Sequence, residues 1–292
     1  MSATSDMIRE KFGSSDSKRD EGLTTPKDIV RYDNILYGEN RKWQILDVYR
    51  PKNADGKELP IIVSVHGGAW VYGDKERYQY YCMSLAQRGF AVVNFTYRLA
   101  PEFKYPAPLE DINLVFNWIF NNKNKYAFDT KHIFAVGDSA GANHLGLYAA
   151  ICTNPEYQKN YAFEVPNKFV PNAIALNCGV YQIDVNNDEL TKLLMADYLP
   201  NAGTKDELEL LCITNYITET YPPTFYMTSS EDFLNQQALI LGQKLVEKKI
   251  SHEFHFYGNA KYGLGHVFHC NIKLDAAKIC NQEECDYFKK FL

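Results

Sequence analysis

Paired cysteines are the first thing this sequence lacks. Its seven cysteines are an odd set with no C-x-x-C spacing, and Cys82, Cys152, Cys178 and Cys212 fall in apolar runs. That pattern argues against a disulfide framework and predicts buried thiols in a reducing compartment. No apolar run approaches the length that spans a bilayer. The opening residues, MSATSDMIREKFGSSDSKRDEG, carry neither an apolar core nor a cleavage site, so the cytoplasm is the expected location. Basic blocks are missing too: 31 Lys and Arg against 36 Asp and Glu leave a net charge of -5. A surface built for nucleic acid or anionic lipid is therefore not expected. Internal repeats and low-complexity segments are also absent. What remains is an ordinary balance, 46% hydrophobic over 292 residues, enough for one α/β domain with embellishments.

Strand and helix patterns alternate along the chain. Residues 1–28 read as a polar arm, loose or helical, that could dock through Met7, Ile8 and Phe12 as part of a lid. Residues 29–37 and 42–49 form a hairpin-like pair around Gly38-Glu39-Asn40. The runs 59–66 and 89–97 are near-continuous apolar strands, the second carrying the sequon at Asn94 in a buried setting. Residues 78–88 form a helix. Beyond Pro106 and Pro108, Ile112, Val115, Phe116 and Ile119 mark a helix with one apolar face. Strands follow at 133–136, 173–178, 223–229 and 251–257, with helices at 236–249 and 275–292. Residues 181–220 are irregular and read as an insertion into a body spanning 29–292. The alternation predicts a mainly parallel sheet covered by helices on both faces. The run 251–257 is a candidate edge strand, which makes a homodimer one candidate assembly.

One stretch organises the rest. Ile133–Val136 is a buried strand and the residues after Ala140 are a helix. Between them stands Gly137-Asp138-Ser139-Ala140-Gly141, a G-x-S-x-G. A sharp strand-to-helix turn lifts the middle side chain to the top of the sheet, and the glycines leave room for it. The following helix aims its free N–H groups at that serine. A serine hydroxyl needs a base, an acid to orient the base, and donors for an oxyanion. His66-Gly67-Gly68 follows a buried strand, so the N–H groups of Gly67, Gly68 and Ala140 are candidate donors. Asp232 follows the strand 223–229 and is the preferred acid, with Glu231 as its rival. His266, among Gly263, Leu264 and Gly265, is the preferred base, with His269 as its rival. His144 is expected to pack, and His132, His252 and His255 to be structural. His269-Cys270 has no second ligand pair at metal-binding spacing, so no metal or cofactor is expected. The order serine, acid, histidine is that of α/β-hydrolases.

On these motifs the chain resembles the hormone-sensitive-lipase-like branch of α/β-hydrolases, from about residue 30 to the C-terminus. The resemblance rests on His66-Gly67-Gly68, Tyr97-Arg98-Leu99-Ala100-Pro101-Glu102, Gly137–Gly141, Asp232 and His266-Val267-Phe268. It implies an eight-stranded sheet and a small helical cap made by the arm and the 181–220 insertion. It also implies a serine esterase acting on short-chain carboxylic esters, with a small-molecule ester as its partner. Where many members have a third glycine this chain has Ala69, followed by Trp70. His-Gly-Gly-x-Trp also resembles kynurenine formamidases and esterases of carbohydrate or aromatic esters, so an arylformamidase is the nearest alternative. A non-catalytic receptor on the same scaffold is a more distant one. Trp70 and Asp138 are the candidate substrate contacts.

Overall fold

The structure is a computed structural model that describes residues 2–54, 56–186 and 188–292. Its centre is one sheet with the order β1-β2-β4-β3-β5-β6-β7-β8. The strands are β1 (Ile29–Leu36), β2 (Ile45–Pro51), β3 (Leu59–Val65), β4 (Ala91–Phe95), β5 (Phe128–Asp138), β6 (Ala173–Asn177), β7 (Thr224–Ser229) and β8 (His252–Tyr257). β1 pairs antiparallel with β2 and β2 antiparallel with β4, and every other pairing is parallel.

The continuous apolar runs are explained by burial on both faces. Along β3, Ile61, Val63 and Val65 belong to one core, and Ile62 belongs to the other. β5 alternates likewise, with Ile133 and Ala135 on one side and Phe134 and Val136 on the other. Helices α2 (Lys75–Ala86) and α9 (Asp275–Lys289) cover the second core. Helices α3 (Ala107–Tyr126), α4 (Ala140–Thr153) and α8 (Asn235–Glu247) cover the first.

The polar arm is helical: α1 runs from Ala3 to Asp20, with the Ser2 side chain capping its start. The 181–220 segment carries α6 (Glu189–Tyr198) and α7 (Lys205–Leu211), the latter opened by a Thr204–Glu207 capping box. A short α5 (Pro155–Gln158) completes the set. β2 starts at Ile45 rather than at 42. The Asn40 side chain and carbonyl collect the N–H groups of Lys42, Trp43 and Gln44 into a turn. β5 begins five residues before the apolar run, because Phe128 and Asp129 pair with Leu59 and Pro60 ahead of a register shift. All seven cysteines are free, but Cys152 and Cys212 are only half-buried, at the edges of their apolar runs. Among the described residues, no helix is long and apolar enough to cross a membrane.

Candidate active site

Ser139 stands between the last residue of β5 and the first of α4 at φ 53° and ψ −121°. This is a strained position for a residue with a Cβ, and its neighbours explain how it is held. A Cβ on Gly137 would lie 2.6 Å from the Gly141 carbonyl oxygen, and one on Gly141 would lie 2.2 Å from that of Val65. Only glycine lets α4 start this close to β3 and β5. The Ser139 N–H donates to the Asn177 carbonyl at 3.0 Å, which ties the turn to β6.

Two loops bring the other groups to the same sheet edge. His266 Nε2 lies 3.0 Å from Ser139 Oγ, and His266 Nδ1 lies 2.7 Å from Asp232 Oδ1. Nδ1 faces a carboxylate and carries the proton, so Nε2 is the acceptor for the serine hydroxyl. Asp232 is buried and also accepts from the Thr228 hydroxyl at 2.7 Å and the Leu234 N–H at 2.9 Å. Burial by itself would raise the Asp232 carboxyl. The His266 hydrogen bond and charge, with the Leu234 and Thr228 donors, outweigh it and hold the group below the usual carboxylate range.

The rivals fall into other parts. Glu231 joins the His266 loop through its backbone, where its N–H donates to the Leu264 carbonyl at 2.9 Å, and its carboxylate packs where a Cβ on Gly263 would be. His269 is fully buried, edge-on to Tyr81, and burial lowers its imidazole to about 3. His144 is buried against the Tyr198 hydroxyl at 2.9 Å, as expected of a packed residue. His132 pairs with Asp129 at 2.6 Å, His252 bonds the Ile250 carbonyl, and His255 sits beside Glu283 and Glu253.

The donor loop differs from expectation in one place. The Gly67 N–H donates to the Tyr78 hydroxyl at 3.0 Å, so it is committed to the interior rather than to an oxyanion. The Gly67 carbonyl lies 2.8 Å from His66 Nδ1. Burial lowers His66 to about 4 and keeps the ring neutral, with Nδ1 as donor. In a trans peptide the N–H points opposite to the carbonyl, so this bond turns the Gly68 N–H away from His66. Gly68 needs its lack of a side chain, since it has φ +129° and a Cβ would meet the Tyr72 carbonyl oxygen at 2.1 Å. Among the described residues the N–H groups of Gly68, Ala69 and Ala140 find no acceptor. Ala69 was not a sequence candidate, and its positive φ of 50° is not legible from a residue with a Cβ.

Asp138 also differs. It is 3% exposed and its Oδ2 accepts from the Tyr78 hydroxyl at 2.7 Å. Its carboxylate braces the loops instead of presenting itself to a substrate. Burial pushes it up to about 6, against the opposing Tyr78 hydrogen bond.

Two cavities meet at Ser139 and His266, with Phe12 of α1 and Phe233 bordering both. The larger, about 270 Å³, is walled mainly by apolar side chains including Trp70, Val180 and Leu194. The other, about 240 Å³, carries Asp16, Arg19 and Tyr72. Trp70 is nine-tenths covered, stacks on Tyr198, and turns its Nε1 to Asn143 at 3.4 Å. It lies in the apolar wall of the larger cavity. Among the described residues two sets of side chains could converge on a metal: Asp138, His269 and Cys270, and Cys178, Asp232 and His266. In both, the carboxylate is already engaged by hydrogen bonds within the chain.

Comparison with known proteins adds independent findings. Residues 46–245 match the family model BD-FAE. Esterase LipC of Mycobacterium tuberculosis is 36% identical over 139 residues, 47% of this chain and 34% of that protein. Versiconal hemiacetal acetate esterase of Dothistroma septosporum is 26% identical over 237 residues, 76% of this chain and 70% of that one. Esterase B of Lactobacillus rhamnosis, solved with a tributyrin phosphonate inhibitor, superposes with a TM-score of 0.90 at 22% identity. That match covers 99% of this chain and 95% of the other. The chain spans a third to a half of the length of LipC and of LipQ, the latter also from M. tuberculosis.

Proposed function

This chain belongs to the BD-FAE family and has the α/β-hydrolase fold, and from that premise we propose that it is a serine carboxylic ester hydrolase. The observation that carries the reading is the hydrogen-bonded line Ser139–His266–Asp232, at 3.0 and 2.7 Å, on a strained serine beside unpartnered N–H groups. Ser139 Oγ attacks the ester carbonyl while His266 Nε2 takes its proton. The oxyanion of the tetrahedral intermediate is held by the N–H groups of Gly68, Ala69 and Ala140. His266 then protonates the leaving alcohol, and the acyl group stays on Ser139. A water that gives its proton to His266 releases the acid. Asp232 keeps the imidazole in the required tautomer and stabilises the imidazolium.

Esterase relatives support a small ester as substrate. Two cavities of about 240 and 270 Å³ support short acyl and alcohol groups. α1 and α6 supply Ile8, Phe12, Leu190 and Leu194 to the walls, which supports a cap made by the arm and the 181–220 insertion. Free cysteines support a reducing, cytoplasmic setting. The edge of β8, unpaired among the described residues, supports a homodimer.

The test is hydrolysis of p-nitrophenyl acetate and butyrate by the wild type and by Ser139→Ala, with N-formylkynurenine as a competing substrate. Turnover of the esters should fall by roughly 10³-fold or more in Ser139→Ala. A folded wild type that turns over neither ester would overturn the reading. Preference for the formamide would move it to the arylformamidase.

A further inference from the structure

Two tyrosines one turn apart on α2 each donate to a buried carboxylate beside the Ser139 turn. The Tyr78 hydroxyl donates to Asp138 Oδ2 at 2.7 Å, and the Tyr81 hydroxyl donates to Glu284 Oε1 at 2.9 Å. Only the first also touches the donor loop. A hydroxyl has one proton, and Tyr78 gives it to Asp138. Its lone pairs are then left to accept, and the group that donates to them is the Gly67 N–H at 3.0 Å. One buried oxygen thus joins the loop after β3 to the residue preceding the nucleophile. Gly67 packs close enough that a Cβ there would lie 2.7 Å from the Asp138 carbonyl oxygen and 2.8 Å from its Oδ2.

We propose that Tyr78 is a positioning residue for acyl transfer: by accepting from Gly67 while donating to Asp138, it fixes the peptide planes that aim the Gly68 N–H at the oxyanion. The proposal rests on the reading of Ser139 as nucleophile. The direction of the relay matters. With Asp138 as acceptor the hydroxyl proton cannot turn toward Gly67. The His66–Gly67 peptide is therefore held with its N–H inward, and His66 Nδ1 holds the next peptide by its carbonyl. Without the hydroxyl, the Gly67 N–H and Asp138 Oδ2 are both buried and unpartnered. The loop then gains by rotating to satisfy them, which withdraws the Gly68 donor. Tyr81 serves as the internal comparison. Its carboxylate partner leads to the Asn177 side chain, whose Nδ2 donates to Glu284 Oε2 at 2.6 Å, while the Ser139 N–H is held by the Asn177 backbone carbonyl; among the described residues no hydrogen bond joins Tyr81 or Glu284 to Gly67 or Gly68.

The experiment measures kcat and KM on p-nitrophenyl acetate, and the rate of inactivation by diethyl p-nitrophenyl phosphate. That inhibitor builds charge on a phosphoryl oxygen at the same donors. Wild type, Ser139→Ala, Tyr78→Phe, Tyr81→Phe, Asp138→Ala and Asp138→Asn are compared, with thermal unfolding of each. Tyr78→Phe should lose about 10–100-fold in kcat and in inactivation rate, with KM nearly unchanged, because a transition-state donor is displaced. Tyr81→Phe should lower the unfolding temperature and keep kcat. Asp138→Ala should reproduce the Tyr78→Phe loss, and Asp138→Asn, whose amide oxygen still accepts from Tyr78, should recover most of it. These two variants carry the test if Tyr78→Phe fails to fold. Equal losses in Tyr78→Phe and Tyr81→Phe, or equal losses in the two Asp138 variants, overturn the proposal. Full activity in Ser139→Ala overturns the underlying reading instead, and the two failures are told apart by that variant alone.

Discussion

Glu284 is a carboxylic acid with no exposure, held by the Tyr81 hydroxyl and the Asn177 amide. Burial pushes it up to about 7, against those two hydrogen bonds. The sign of its effect on stability follows. Between its ordinary value near 4.5 and about 7, the folded chain keeps a proton that the unfolded chain has lost. The contribution is complete below the lower value and is lost as pH rises through the upper one. Asp138, pushed up to about 6, acts in the same direction. Asp232 acts oppositely, and its contribution is lost only at acid pH below the ordinary carboxylate range. Glu284→Gln should therefore flatten the fall in unfolding free energy between pH 5 and 8 by on the order of 3 kcal/mol. Denaturant melts at the two pH values check this, and an unchanged slope would contradict it. At this scale the meeting of Ser139, Asp232 and His266 at one sheet edge was legible, because Ser139 and Asp232 follow strands marked by apolar runs and His266 stands beside glycines in the loop after β8. Gly67 was not. The direction of its N–H is decided by a hydroxyl eleven residues away on α2, and no local pattern carries that information.

Among the elements, α1 shows where sequence patterns stop. Ile8 enters the core and Phe12 packs edge-on against Tyr72, while Met7 stays exposed, so the apolar stripe is only two residues long. Polar contacts supply the rest of the seat. Arg9 donates to the Val71 and Ala100 carbonyls and pairs with Glu102, and Ser5 donates to Asp197. The Arg9 pairing gives Glu102, in the Tyr97–Glu102 segment, a definite part in docking the arm. β5 shows a similar limit, since four polar residues, Asp129 to His132, separate Phe128 from the apolar run and its start is recruited by pairing with β3. β3, β4 and β7, by contrast, were legible because burial on both faces leaves continuous apolar runs. The placement of α1 has a consequence for substrate length. Phe12 borders both cavities, so Phe12→Ala should raise KM for p-nitrophenyl butyrate by roughly 5–20-fold, the loss of about 1–2 kcal/mol of apolar contact. The acetate, too short to use that wall, should change little. Steady-state kinetics on the pair decide it, and equal changes for both esters would show that Phe12 is not a substrate wall.

For the whole molecule, the open question is what meets the edge of the sheet. Among the described residues β8 has a neighbour on one side only, β7. Phe254 and Phe256 are 42% and 54% exposed on one face of it. Edge strands that stay single are commonly blunted by lysine, proline or a bulge, and β8 carries none of these in its six residues. The strand is also complementary to itself. If two copies pair antiparallel about a two-fold axis through Phe254, each Glu253 faces a His255 and the two Phe254 rings meet across the axis. A parallel or offset partner would lose these matched pairs, so the proposed homodimer is expected to use the antiparallel arrangement. Light scattering should return twice the chain mass for the wild type and the single mass for the doubly substituted Phe254→Lys, Phe256→Lys chain. Turnover of p-nitrophenyl acetate should survive in that variant, since β8 lends no side chain to the line from Ser139 to Asp232. A monomeric wild type would leave the aromatic edge without this partner, and a substituted chain that remained dimeric would move the interface elsewhere on the molecule.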